Sequence, residues 1–254
     1  MHPLVAALYA AFIQYTAGSL LAMVAADWRS EVTPGFLRLA AVCTLPVALL
    51  AYAISGSAPP FEQTLCTLLV VVTAVLTVLQ FGGGHRARMV GGTVAVSAGL
   101  AATALAAMAR PNALMGPAVS TVVALASAVA VGAGVMAMIL GHWYLMTPRL
   151  TPAPLRRLCD LTIGALVILT IATAWFVLND PQAAVIGPDH PVIRWGAPLG
   201  ITVLPLGVTA AARICCKEWP RGRAIQAATG LLYVTSAIVL AGVLAGNMVL
   251  LSAG

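Results

Sequence analysis

The stretch Gly141-His142-Trp143-Tyr144-Leu145-Met146-Thr147-Pro148-Arg149 puts an imidazole, an indole, a phenol and a guanidinium beside one another at the end of an apolar run. A quinone head group asks for this mixture: donors to its carbonyls, a proton exchanger and flat apolar walls. In that chemistry His142 donates to a carbonyl and relays a proton. Tyr144 or Arg149 anchors the ring, and Trp143 forms a wall. Asp27-Trp28-Arg29 ends an earlier apolar run in the same way, and Asp27 is a candidate partner for His142 or Arg149. Further along, Gln226, Gly230 and Tyr233 share one face of a helix by their spacing, so Gln226 and Tyr233 join the candidate quinone-binding set. The plainer reading is an interfacial aromatic anchor with a helix-end histidine favoured by the helix dipole, and interhelical hydrogen bonds from Gln226 and Tyr233.

Other chemistries find less. A bis-histidine b-type haem needs two axial imidazoles; His2 and His190 fall outside, and His85 and His142, on the cytoplasmic side, are the plausible pair. His85 follows Gly82-Gly83-Gly84, a poor mount for an axial ligand. No CxxCH, HExxH, GxxxxGK[ST] or GxSxG motif occurs. Cys43, Cys66, Cys159, Cys215 and Cys216 show no metal-ligand spacing and read as free thiols. No metal site and no catalytic residue is assigned. Gln14, Gln80, Thr73, Thr77, Ser97, Thr170, Thr173, Ser236 and Asn247 are the polar groups that would line a path through apolar segments.

The elements that carry these residues follow from composition. Of 254 residues, 61% are hydrophobic and 8% charged, against about a quarter charged in a soluble domain. So few charges cannot solvate a soluble surface of this size. The chain reads as a single all-α integral membrane domain over 1-254, with lipid as its solvent. Eight segments are long and apolar enough to span: 3-26, 36-55, 62-81, 89-109, 117-146, 159-178, 192-213 and 224-251. Turn formers or charges end each run. The first segment lacks a basic region before it and exceeds a signal sequence's apolar run, so it reads as a retained helix.

The basic residues vote on orientation. Arg29, Arg38, Arg86, Arg88, Arg149, Arg156, Arg157, Arg213, Lys217, Arg221 and Arg223 flank the odd-numbered loops, leaving Arg110 and Arg194 to the even ones. The positive-inside rule then puts the odd loops in the cytoplasm and both termini outside, in a bacterial inner membrane. Because the cations sit between apolar runs rather than in a patch, nucleic acid is excluded as the partner. Trp28, Trp143, Tyr144 and Trp219 fall at inner helix ends, Trp175 and Trp195 near outer ones, as an interfacial belt requires. With Asp, Glu, Lys and Arg confined to loops and span ends, an ion-driven pump or transporter is disfavoured.

The halves look related. Ala17-Gly18-Ser19 runs on to Asp27-Trp28, and Ala133-Gly134-Val135 to His142-Trp143. Pro34 with Arg38-Leu39 matches Pro154 with Arg157-Leu158. Arg88-Met89 and Arg223-Ala224 open small-residue helices in corresponding places. A 4+4 duplication, over 1-112 and 113-254, would give two four-helix bundles about an axis along the membrane normal. Gly196 with Gly200, Ala137 with Gly141, and Gly242 with Gly246 have the spacing for close helix contact. Pro46, Pro198 and Pro205 lie inside spans and predict kinks.

In architecture, the chain resembles the eight-helix NrfD/PsrC-type membrane subunits of bacterial oxidoreductase complexes. The Gly141–Leu145 and Ala228–Tyr233 strings are also similar to those of a bacterial membrane family of undefined activity. The first resemblance implies a non-catalytic electron-transport subunit that anchors membrane or peripheral redox partners and binds quinone near the cytoplasmic face. Two other expectations stand beside it. One is a small-molecule permease with a midplane cavity of Gln, Thr and Asn. The other is a purely structural, lipid-binding subunit.

Overall fold

The computed structural model describes residues 2–110, 116–147, 150–179, 191–218 and 222–252. Eight long helices carry the chain: α1 (Pro3–Asp27), α2 (Pro34–Ile54), α3 (Pro60–Gly82), α4 (His85–Ala109), α5 (Gly116–Met146), α6 (Ala153–Asn179), α7 (Pro191–Cys215) and α8 (Gly222–Ser252). Among the described residues α1 to α6 and α8 are long and apolar enough to cross a membrane, and α7 contributes the apolar stretch Gly200–Cys215. The chain is an all-α multi-pass membrane protein.

Local chemistry sets the starts. Proline opens α1, α2, α3 and α7, where its missing N–H would have no partner anyway and its fixed φ suits the first turn. Thr33 caps α2, its hydroxyl accepting from the Phe36 amide at 3.5 Å. The Asp27 carbonyl accepts from the Ser30 amide at 2.9 Å, and Ser30 takes a positive φ of 53° to turn the chain out of α1. α2 runs unbroken through Pro46 and α7 through Pro198 and Pro205.

The outer surface is as apolar as the core, which buries Leu20, Phe36, Leu69, Leu76, Met136 and Leu140. Large side chains face outward: Leu68, Val71, Val75 and Val78 form an exposed stripe along α3. On α4 the contacts are made by small residues, with Gly92, Ala95, Gly99 and Ala102 buried. Lipid is as apolar as leucine, so close backbone approach and polar contacts, not water exclusion, hold the helices together. Buried threonines discharge their hydroxyls locally: Thr73, Thr162 and Thr209 each donate to a carbonyl four residues back at 2.6 to 2.9 Å.

α1 and α5 form the axis. They bury 56% and 61% of their spanning windows, against 28% to 39% for the other spans. Their crossing is the tightest in the protein. A Cβ on Gly18 would collide with the Ala128 carbonyl, and one on Gly132 with the backbone of Gly18 and Ser19. Around this axis α1, α2, α3 and α4 close a ring, each packed on the next and α4 back on α1. α5, α6, α7 and α8 close a second ring in the same order. The rings join through α1 on α5, α1 on α8 and α4 on α5.

Candidate functional site

Polar cross-links mark one end of the bundle. It gathers the ends of α1, α3, α5 and α7 and the starts of α2, α4, α6 and α8, the basic set of helix ends. Asp27 closes α1 and is buried. Its Oδ2 accepts from Arg88 Nε on α4 at 3.3 Å, with His85 Nδ1 at 3.5 Å. Arg157 of α6 pairs with Glu31 and donates to the Ala25 carbonyl at 2.9 Å. Arg213 of α7 pairs with Asp160 of α6. Arg38 of α2 donates to the Gln80 carbonyl at 3.2 Å and stacks 5.4 Å above the Phe81 ring. Arg38, Arg88, Arg157 and Arg213 thus tie separate segments of the chain together at this end.

The candidate quinone residues separate in this frame. His142 and Tyr233 meet: the Tyr233 hydroxyl lies 3.5 Å from His142 Nδ1, and both residues are exposed. Gln226 is exposed two turns earlier on α8. Tyr144 is buried at 1% exposure, and its hydroxyl donates to the Thr151 carbonyl, tying the end of α5 to the chain entering α6. Trp143 turns to the first half instead. Its Nε1 donates to Thr33 Oγ1 at 2.8 Å and its ring covers Gly35. Asp27 does not reach toward His142; its carboxylate is taken by Arg88 and His85 within its own half. The reason is geometric. Successive helical residues turn by about 100°, so His142, Trp143 and Tyr144 face three directions and cannot wall one pocket. Arg149 lies outside the described residues, as do Trp219 and the side chain of Trp195. Trp28 and Trp175 are exposed, in keeping with the interfacial belt.

His85 and His142 do not suit a bis-histidine haem in this placement. Two axial imidazoles must face one another across a porphyrin, whereas one ring here is turned to a carboxylate on α1 and the other to a phenol on α8. Among the described residues no three histidine, cysteine or acidic side chains converge as a metal site. The five cysteines are free. Cys216, just past α7, is buried beside Cys159. Its thiol is held below the ordinary range, first by the hydrogen bond with Cys159 and then by Arg156 and Arg213.

The opposite end holds what sequence reading missed. A cleft of about 70 Å³ opens between α1, α4, α5 and α8. Gln14 and Asn247 line it and exchange two amide hydrogen bonds, at 3.4 and 2.9 Å. Arg110 lines it too, pairing with the buried Glu62 and stacking 5.3 Å over the Tyr9 ring. Tyr9 donates to the Glu62 carbonyl at 3.2 Å. Gln14 and Asn247 stood out as polar residues in apolar runs; Tyr9, Arg110 and Ser120 gave no signal, because only the fold brings them together.

Comparison with known protein families, with curated proteins and with solved structures finds no match to this chain.

Proposed function

We propose that the chain is an integral membrane subunit of a bacterial electron-transfer complex, anchoring redox partner proteins and holding a quinone at its basic end. The observation that carries this reading is the His142–Tyr233 pair: two proton-bearing side chains 3.5 Å apart, set beside exposed Leu145, Met146 and Val234. That surface suits a ligand with a polar ring and an apolar tail, which arrives through the bilayer rather than through water. His142 would hold one carbonyl and exchange its proton through Nε2, with Tyr233 at Nδ1 setting the tautomer. Gln226, exposed two turns earlier on α8, would add an amide donor. When bound, the quinone supplies the acceptance of electrons and protons. Trp143 and Tyr144 take no part in contact; they hold the end of α5 in place.

The loops are short and offer no folded domain to carry a redox group, so the electron donor belongs to a partner protein. The basic end faces the cytoplasm by the positive-inside rule, with both termini outside. The 4+4 repeat is supported by the identical neighbour order of the two rings and by the central α1–α5 pair, whose mutual packing suits an axis along the membrane normal. The permease reading keeps one observation of its own, the Gln14, Thr103 and Asn247 lining of the opposite cleft.

His142→Ala and Tyr233→Phe test the proposal in the complex purified with its partners. Both variants should assemble, with quinone-linked turnover about tenfold lower for His142→Ala, the worth of one hydrogen bond. Unchanged turnover returns His142 to the role of interfacial anchor.

A further inference from the structure

The cleft at the end opposite the basic rim is built as a site in its own right. Inward of it, one turn beyond Gln14, α1 and α5 pack backbone to backbone at Gly18. Gln14 lies about 16 Å along α1 from Pro3, so the cleft reaches toward mid-membrane depth. Its charge is cancelled: Arg110 is paired with Glu62 and laid on Tyr9, and an ion entering would meet no free counter-charge.

Its hydrogen-bonding capacity is not cancelled. The head-to-tail amide pair of Gln14 and Asn247 uses one N–H and one carbonyl lone pair of each, leaving one of each on both side chains. Thr103 gives its proton to the Gly99 carbonyl at 2.9 Å and keeps its oxygen as an acceptor. Ser120 is 8% exposed, lines the cleft, and its Oγ has no hydrogen-bond partner. Buried hydroxyls without partners are rare, because the desolvated group loses water and gains nothing. The remaining walls are alanine, isoleucine and valine.

We propose that this cleft is a second ligand site, independent of the His142–Tyr233 patch, and that it takes a small uncharged molecule carrying both donors and acceptors, of the polyol or amide class. The size agrees. A buried water needs roughly 10–15 Å³ on this measure, so about 70 Å³ admits about five water-sized centres, the scale of glycerol or acetamide. Asn247 and Gln14 receive the polar edge at the floor, and Ser120 completes the set from α5.

Saturation-transfer NMR on the full chain in phosphatidylcholine nanodiscs tests this, with empty nanodiscs as baseline. Glycerol and acetamide are the neutral probes; acetate and tetramethylammonium are the charged ones. The expected result is transfer to both neutral probes, at least fivefold weaker in Asn247→Leu and in Ser120→Val, with the charged probes at baseline. Ser120→Val leaves the Gln14–Asn247 pair intact, so it decides alone if Asn247→Leu fails to fold. Absence of transfer to the wild type, equal transfer to wild type and Ser120→Val, or acetate binding as well as acetamide would each overturn the proposal.

Discussion

Arg110 and Glu62 show how much a single side chain carries in this protein. Glu62 is 1% exposed in the first turn of α3, and its carboxylate depends on the one guanidinium that reaches it from the end of α4. Breaking a buried pair from one side leaves an uncompensated charge, at about 3–5 kcal/mol. Arg110→Leu should therefore lower the thermal midpoint of the detergent-solubilised protein sharply, and the double variant Arg110→Leu, Glu62→Gln should recover most of the loss. If the double variant melts no higher than the single, the pair is not what holds α3 to α4. Trp143→Phe removes one donor to Thr33 and should cost about 1 kcal/mol by the same assay. Residues 62 and 110, or 14 and 247, have no sequence relation that announces their pairing; only the helix order joins them. Tyr144 was legible in principle. It lies two residues, about 200°, from His142 and so had to face the other way.

At the scale of the element, the helix boundaries were largely written in the chain. The expected spans 62-81 and 89-109 became Pro60–Gly82 and His85–Ala109. The largest discrepancy is α6, expected from 159 but starting at Ala153. Pro154 and the Arg156-Arg157 pair read as loop, yet proline is tolerated in a first turn, and Arg157 is neutralised there by Glu31. The small-residue spacings were a partial guide. Gly141 lies against Thr229 and Gly242 against Ile201, while Gly200 and Gly246 face open space. The tightest crossing, Gly18 on Gly132, joins two helices that no local spacing could relate. A leucine at position 132 would meet backbone, which cannot rotate away. Gly132→Leu should abolish recovery of folded protein, whereas Gly230→Leu, with nothing within 4 Å of its Cβ, should leave yield and melting unchanged. Comparable yields for the two variants would contradict the α1–α5 axis.

For the whole molecule, the charge scarcity that set the class also set the architecture. Four acidic residues, Asp27, Glu31, Glu62 and Asp160, each have a basic partner distant along the chain. The paired charges lie toward the two ends and leave the middle to apolar side chains, small residues and neutral polar groups. The proposed orientation predicts that a phosphatase reporter, active only outside the cytoplasm, works when fused after Gly254 and fails when inserted after Gly84. The reverse pattern would invert the assignment of the basic end. The ring order of the two halves was not legible in sequence, because alanine-rich helices match one another by composition alone; it emerges only from which helix packs on which.

The central claim is membership of a quinone-linked complex, and purification from native membranes tests it most directly. The protein should be recovered with redox partner chains, with quinone in the organic extract, and with a reduced-minus-oxidised spectrum contributed by those partners. Recovery as a lone, colourless chain without quinone would contradict the account.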